Sequence, residues 1–492
     1  MKPLWKRMIA AGCAVTLTMG CSACGGKTDS SESSTEGGKD EIAEVSVMFG
    51  TVYNTDGTQE VQDAVNKITE EKYGIHFNIS LVDFGNLAQQ TNLLLTGNDV
   101  DILQVNNLQN YVNNGQVENL QPYWDNASPE MKNLIDEEWI EACKVKGDLY
   151  GLPKLVDFGH INGLCIDEEV ATEYGFTDMQ NVTMEEIDAF LAWAKETYPE
   201  RYPLAPFGTQ ILADTDWSWD TLGDNIGVLP DRGQSSTTVE SLMDNKDYIE
   251  LAKWCRKWYQ AGYVTPDILS NTEDGGVMIK NKEAVSKFAG YGPAAQKDII
   301  RTVVVDHWTN SGNIAVSTYV VNANSKNKEA AWKAMEILYT DPEVGTYIYN
   351  GIEGRDYVMN EDGTMSYPDG LDASTVPYGQ SGITWIMPWV GNGGIPHEND
   401  GADYFDKLLQ YNKEGLFSVA NGFKFDASPV VDEYTACNNV LQKYYKTLLS
   451  GAVDVDSTLE QARQEFKDAG LDKVIAEKQK QLDAYLAEKE AE

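Results

Sequence analysis

The chain has 492 residues, 42% of them hydrophobic, with 77 acidic against 38 basic side chains for a formal charge of −39. That length exceeds one ordinary core and predicts two domains, while the apolar content excludes global disorder. The charge argues against nucleic acid or an anionic membrane surface as a partner, because both would repel it.

The chain opens on a positive start of Lys2, Lys6 and Arg7, and no further charged residue occurs before Lys27. The apolar stretch from residue 8 to about residue 20 is short for a membrane span and suits a signal-peptide core. It runs into Cys21-Ser22-Ala23-Cys24-Gly25-Gly26, which resembles the lipobox of bacterial lipoproteins. The resemblance implies a signal peptide over residues 1–23 and lipidation of Cys24, with Cys21 as the alternative. The protein is then expected on the extracellular face of the cell membrane, held by a lipid anchor. Residues 24–41 are small and polar, cannot bury a core and read as a flexible tether.

From Ile42 the pattern becomes regular. Strands are predicted over 44–49, 75–81 and 100–105, and helices over 59–72 (Val61, Val65 and Ile68 on one face) and 86–95. Strand alternating with helix predicts a parallel sheet covered by helices, whose ligands bind beyond the carboxyl ends of the strands. Those ends carry Tyr53 and Asn54, Asp83 and Phe84, and Asn106 and Asn107. No Gly-x-Gly-x-x-Gly or phosphate-loop lysine follows the first strand, so no nucleotide or other cofactor is expected.

Further on, residues 184–198 and 248–259 read as amphipathic helices. Between them lies an aromatic and acidic cluster without packing period, which contains Trp217 and Trp219. Thr318 to Val321 is a β-branched and aromatic run, followed by a polar turn in which Ser325 or Asn327 suits a helix cap. Ala331, Met335 and Leu338 mark the buried face of that helix, and Asp341-Pro342 starts another, closed by Gly351. Trp385, Trp389 and Asn392 then fall among glycines and prolines, a setting better suited to lining a cleft than to filling a core. Residues 435–449 and 459–486 read as helices, the second with Leu471, Ile475, Lys478, Leu482 and Tyr485 on one face. They are expected to pack on the parent domain rather than in a partner coiled coil.

The order of strand, Ser-Lys-Asn-Lys-Glu-Ala-Ala helix, Tyr-Thr-Asp-Pro-Glu-Val and Gly-Ile-Glu-Gly-Arg-Asp-Tyr-Val over residues 318–358 resembles family 1 extracellular solute-binding proteins of bacterial ABC importers. Specifically, it resembles the lipoprotein branch with a helical C-terminal domain of unassigned function. Gly147-Asp148-Leu149-Tyr150-Gly151-Leu152-Pro153 is similar to another turn of that family, as are the stretches 262–267, 287–292 and 422–430. The resemblance implies an α/β, two-lobe periplasmic-binding-protein-like fold with discontinuous lobes, a hinge and a helical C-terminal extension. Lobe I is expected over 42–155 with about 313–365, and lobe II over 156–312 with about 366–420 returning to the cleft and to it. Residues 421–492 form the extension. Residues 154–160 then become a hinge strand with Asp157 and His160 facing the cleft, and Tyr291 lies on the turn that approaches the ligand.

Cys143, Cys165, Cys255 and Cys437 form no Cys-x-x-Cys and read as free buried thiols. No histidine pair has zinc-ligand spacing, and Asn360-Glu361-Asp362-Gly363 lacks the acidic ladder of a calcium loop and reads as a turn. The expected function is capture of a solute and its delivery to ABC permease subunits, without catalysis. Loop tryptophans suit sugar rings, with Asn54, Asn106 and Asp157 taking hydroxyls, so a carbohydrate is the expected ligand. A peptide ligand and an exported glycan hydrolase with paired carboxylates are the alternatives.

Overall fold

The computed structural model describes residues 42–213, 217–294, 297–383 and 385–490. The expected signal segment, Cys21, Cys24 and the tether lie outside these residues, as do Asp214 to Asp216.

The apolar run of Ala43–Thr51 is buried along most of its length and forms an inner strand, second from the edge, of a five-stranded sheet. It pairs in parallel with Ile75–Asp83 on one side and with Ile102–Val105 on the other. Thr318–Val321 joins antiparallel to the third of these, and Leu152–Pro153 closes the order. The helix Thr58–Tyr73 covers this sheet through Val61 and Val65, ends on the left-handed Gly74 and so returns the chain to the second strand. Lys328–Thr340 buries Ala331, Met335 and Leu338, as their spacing predicts. Asn327 occupies its cap position without a side-chain bond, whereas Asp341 caps the following helix, Pro342–Asn350, by accepting from the amides of Glu343 and Val344.

A second sheet surrounds His160–Asp167, which pairs antiparallel with Ser286–Tyr291, Ile299–Val303 and Val305–Thr309. The two sheets carry separate cores, so the fold has two lobes. The chain crosses between them three times. The first crossing follows Pro153 and the second precedes Thr318. Gly159 lets these two lie together, since a Cβ there would stand 2.3 Å from the Trp308 carbonyl oxygen.

The third crossing is the helix Tyr404–Glu414, in a stretch the sequence leaves loop-like. Its Phe405 and Leu408 sit in the first core, while Tyr411 packs with Ile161 and Tyr291 of the second sheet and stacks on His307 at 4.0 Å. Asn412 clamps the first crossing: its amide donates to the Val156 carbonyl (2.6 Å) and its oxygen accepts from the Phe158 amide (3.1 Å). Residues from about 366 do not turn to the second lobe as expected. Tyr378, Ile383, Ile386 and Met387 fill the first core, and pairing with the second sheet begins only at Leu416–Phe417.

The C-terminal helices Val431–Leu449, Val455–Asp468 and Leu471–Lys489 share one core with the second lobe. The helix expected over 459–486 is two helices, because Gly470 takes a left-handed φ of 92° and breaks it. Cys143, Cys165, Cys255 and Cys437 are buried and form no disulfide among the described residues.

Candidate functional site

The carboxyl ends of the first sheet meet the crossing segments, and the accessible side chains of this region form two groups. The first group is aromatic. Gly50, at the end of the first strand, has no Cβ; one would lie 2.6 Å from the Phe84 ring, so glycine lets that ring settle against the strand. Phe84 opens the helix Phe84–Leu94, and its ring meets Trp385 with centroids 4.1 Å apart at an interplanar angle of 62°. Trp385 keeps 36% of its surface exposed. Beneath it runs Lys154, whose Nζ donates to the Gln104 side-chain oxygen (3.1 Å) and to the Trp385 carbonyl (3.3 Å). Lys154 is buried, has no carboxylate partner among the described residues, and burial lowers its pKa from 10.5 to about 8. Asn106, just past the third strand, is exposed.

The second group is polar. His160 Nε2 lies 3.6 Å from Asp157 Oδ2, and the two side chains are 37% and 35% exposed. Asp157 rests against Gly292, where a Cβ would come within 2.6 Å of its carboxylate. Partial enclosure raises the Asp157 carboxyl above its usual range, with His160 pulling the other way. Enclosure likewise raises Asp400, opposed by His397, and raises the Tyr404 phenol. Asn54 also belongs to this end of the sheet, but its side chain is engaged within the loop: its amide donates to the Val376 carbonyl (3.0 Å) and its oxygen accepts from the Asp56 amide.

The remaining candidates are placed elsewhere by packing. Trp217 and Trp219 belong to the second core, their indole N–H groups donating to the Ala213 carbonyl and the Asn225 side chain. Tyr291 is buried, with its hydroxyl on the Thr302 carbonyl. Trp389 fills the first core beside Phe405. Asn392 is buried because its amide donates to the Ile337 and Leu338 carbonyls, where Lys328–Thr340 ends. Trp389 and Asn392 were picked for their glycine-rich surroundings, Trp217 and Trp219 for an aromatic and acidic cluster without period, and Tyr291 by resemblance; their rings and amides complete cores and a helix end. Lys154 and Gln104 carried no sequence signal, because each looks like an ordinary polar residue near a strand end. Among the described residues no group of three His, Cys, Asp or Glu side chains is arranged to hold a metal ion, and no helix is long and apolar enough to cross a membrane.

Two lobes, three crossings and an accessible aromatic and polar lining are the arrangement of a capture protein. A family model described as bacterial extracellular solute-binding protein matches residues 53–344, more than half of the chain. The chain belongs to this family. A second model, described as a domain of unknown function (DUF3502), matches residues 419–487, which include the first two C-terminal helices and all but the last two residues of the third. A carbohydrate ABC transporter substrate-binding protein of Streptococcus pneumoniae serotype 4 is 25% identical over 504 residues, covering 99% of each chain. The solved structure of the N-glycan transport solute-binding protein NgtS from Streptococcus pneumoniae superposes with a TM-score of 0.79 at 22% identity, covering 91% of this solute-binding chain and 100% of that one. The same protein in complex with Man1GlcNAc gives 0.69 at 22% identity, over 90% of this chain and 100% of that one. The ABC-transporter substrate-binding protein FusA from Streptococcus pneumoniae in complex with kestose gives 0.58 at 15% identity, over 90% of this chain and 100% of that one. These likenesses fix the two-lobe fold.

Proposed function

We propose that this solute-binding protein captures an oligosaccharide between its lobes and delivers it to the permease subunits of an ABC importer. The observation that carries this reading is the Phe84–Trp385 pair, an exposed aromatic edge at the carboxyl end of the sheet. Such an edge offers an apolar face to a sugar ring, and Asn106, Asp157 and His160 offer donors and acceptors for its hydroxyls. The carbohydrate named for the Streptococcus pneumoniae relative over the full chain length supports the same ligand class. Asp157 and His160 belong to the first crossing, so a ligand that touches them and Trp385 would bias lobe closure.

The role is binding rather than hydrolysis, and Asp157 serves as a hydrogen-bond acceptor rather than a nucleophile. The positive start and cysteine-terminated apolar stretch support export and a lipid anchor on Cys24, or on Cys21, at the outer face of the cell membrane. Titration of the purified protein with neutral oligosaccharides and with peptides of similar size, followed by intrinsic fluorescence, tests the ligand class. The expected outcome is a saturable response to a glycan that is recovered intact. A response to peptides alone, or shortened glycan products, would overturn the reading.

A further inference from the structure

A groove of about 710 Å3 opens between the first lobe and the C-terminal helices. One wall is the hairpin of Lys144–Val145 and Asp148–Leu149 with the preceding Glu141; the other is the segment around Lys424 and the end of the last helix. None of its lining residues belongs to the aromatic or polar groups of the interlobe site.

The sign of its charge sets it apart. The chain has 77 acidic and 38 basic side chains, yet this groove is lined by four lysines and two glutamates. Lys144 is paired with Glu141, which leaves Lys146, Lys424 and Lys489 against Glu488 in the lining, with Asp426 outside it but near enough to Lys146 to feel its charge. Lys146 stands exposed at the hairpin turn, with a left-handed φ of 55° and its Nζ donating to Asn113 (3.0 Å). Lys489 is exposed, and its side chain makes no hydrogen bond or ion pair among the described residues.

Lys424 is held differently. Its Nζ donates to the carbonyls of Ala142 (2.7 Å), Lys144 (3.1 Å) and Gly422 (3.4 Å). All three protons are used and no carboxylate is among the acceptors, so what Lys424 adds to the groove is charge. An enclosed ammonium without a counter-charge is costly, and an anion beside it would offset that cost. The adjoining Phe423 and Tyr485 rings, 5.9 Å apart, give the groove an apolar patch as well.

We propose that this groove is a second ligand site, separate from the interlobe cleft, which binds an oxyanion through Lys146 and Lys489 in the field of Lys424. Ammonium groups on flexible stems suit the oxygens of a carboxylate, phosphate or sulfate as point charges. In a chain this acidic, most of the surface repels such a group and a concentration of lysines is required to hold it. The shared chemistry has two sources, a free inorganic anion or an acidic substituent on a sugar ring.

The test is titration of the full chain with inorganic phosphate, with glucuronate and with glucose, each against sodium chloride at matched ionic strength, read by calorimetry and by melting temperature. The same titrations are run on Lys146→Glu/Lys489→Glu and, should that variant fold poorly, on Lys146→Gln/Lys489→Gln. The site predicts saturable binding of phosphate or glucuronate but not of glucose, weakened roughly tenfold or more in the double variant through loss of two charge-assisted contacts. Tighter phosphate identifies a free anion as the source, and tighter glucuronate an acidic sugar. Responses no larger than those to chloride, or binding unchanged in the double variant, would overturn the proposal. Neutral-glycan binding by the same variants reports on the cleft independently.

Discussion

Phe84 and Trp385, far apart in the chain, meet edge-on with their ring centroids 4.1 Å apart, and the Lys154 ammonium secures the Trp385 carbonyl from below. This contact joins the opening of a first-lobe helix to a late loop and makes one accessible platform from two otherwise unrelated segments.

The first prediction separates this platform from the buried tryptophans. Trp385→Ala should weaken oligosaccharide binding by roughly 1 to 2 kcal/mol, in line with aromatic contacts elsewhere, while the unliganded melting temperature changes little. Trp219→Ala should do the opposite. Its ring is 2% exposed, and its loss should cost about 3 kcal/mol or more in stability with no direct effect on affinity. Fluorescence titration combined with thermal melting of each variant reads both quantities.

Lys154 gives a pH signature. Below pH 8 the residue is protonated in both the folded and unfolded chains, and folding bears the full cost of burying the ammonium. As pH rises from about 8 towards 10.5, the unfolded chain binds more protons than the folded one, so this contribution to stability increases. The effect is on the order of 3 kcal/mol at most. Denaturant unfolding of the wild type and Lys154→Met at pH 7 and pH 9.5 should show the wild type gaining relative to the variant at the higher pH. An unchanged gap would mean that Lys154 is not buried as a cation.

The hinge predicts a different phenotype. Asn412→Ala removes both bonds to the first crossing and leaves the Phe158 amide without its acceptor, at a cost of about 1 to 3 kcal/mol. Because the lost bonds tie a crossing segment to the helix between the lobes, the variant should also populate a wider range of lobe separations. Small-angle scattering of the unliganded protein should show a larger radius of gyration than that of the wild type.

Asp157→Asn keeps the shape of the side chain but removes the charge that faces His160. If the carboxylate accepts sugar hydroxyls, affinity at neutral pH should fall by roughly 1 to 2 kcal/mol, the scale of a charge-assisted hydrogen bond. Titration calorimetry with a neutral oligosaccharide checks this, and His160→Ala in the same assay shows whether the pair acts together.

Much of the scaffold was legible in the sequence because it follows local rules. Alternation of strand and helix over residues 43–105, the Asp341-Pro342 cap and the buried stripe of Ala331, Met335 and Leu338 all follow from spacing and capping chemistry. The long-range choices were less legible. Trp217 and Trp385 occupy similar-looking loops, yet one is enclosed by the second lobe while the other is left at an edge against Phe84. Tyr404–Glu414 was legible in principle, since Tyr404, Phe405, Leu408, Tyr411 and Asn412 recur at helical spacing on one face, but which lobe each of them serves was not. Lys154 became visible only once Gln104 and the Trp385 carbonyl were seen to converge on it. Asn392, conversely, resembled a ligand contact and proved to be a helix-end partner.

The most direct test of the account is calorimetric titration of the purified chain and of Trp385→Ala with a neutral oligosaccharide, with the ligand recovered for mass analysis. The account predicts one-to-one binding at the interlobe site, an intact glycan and a clear loss of affinity in the variant at nearly unchanged melting temperature. Cleaved glycan, or equal affinity in the two proteins, would contradict it.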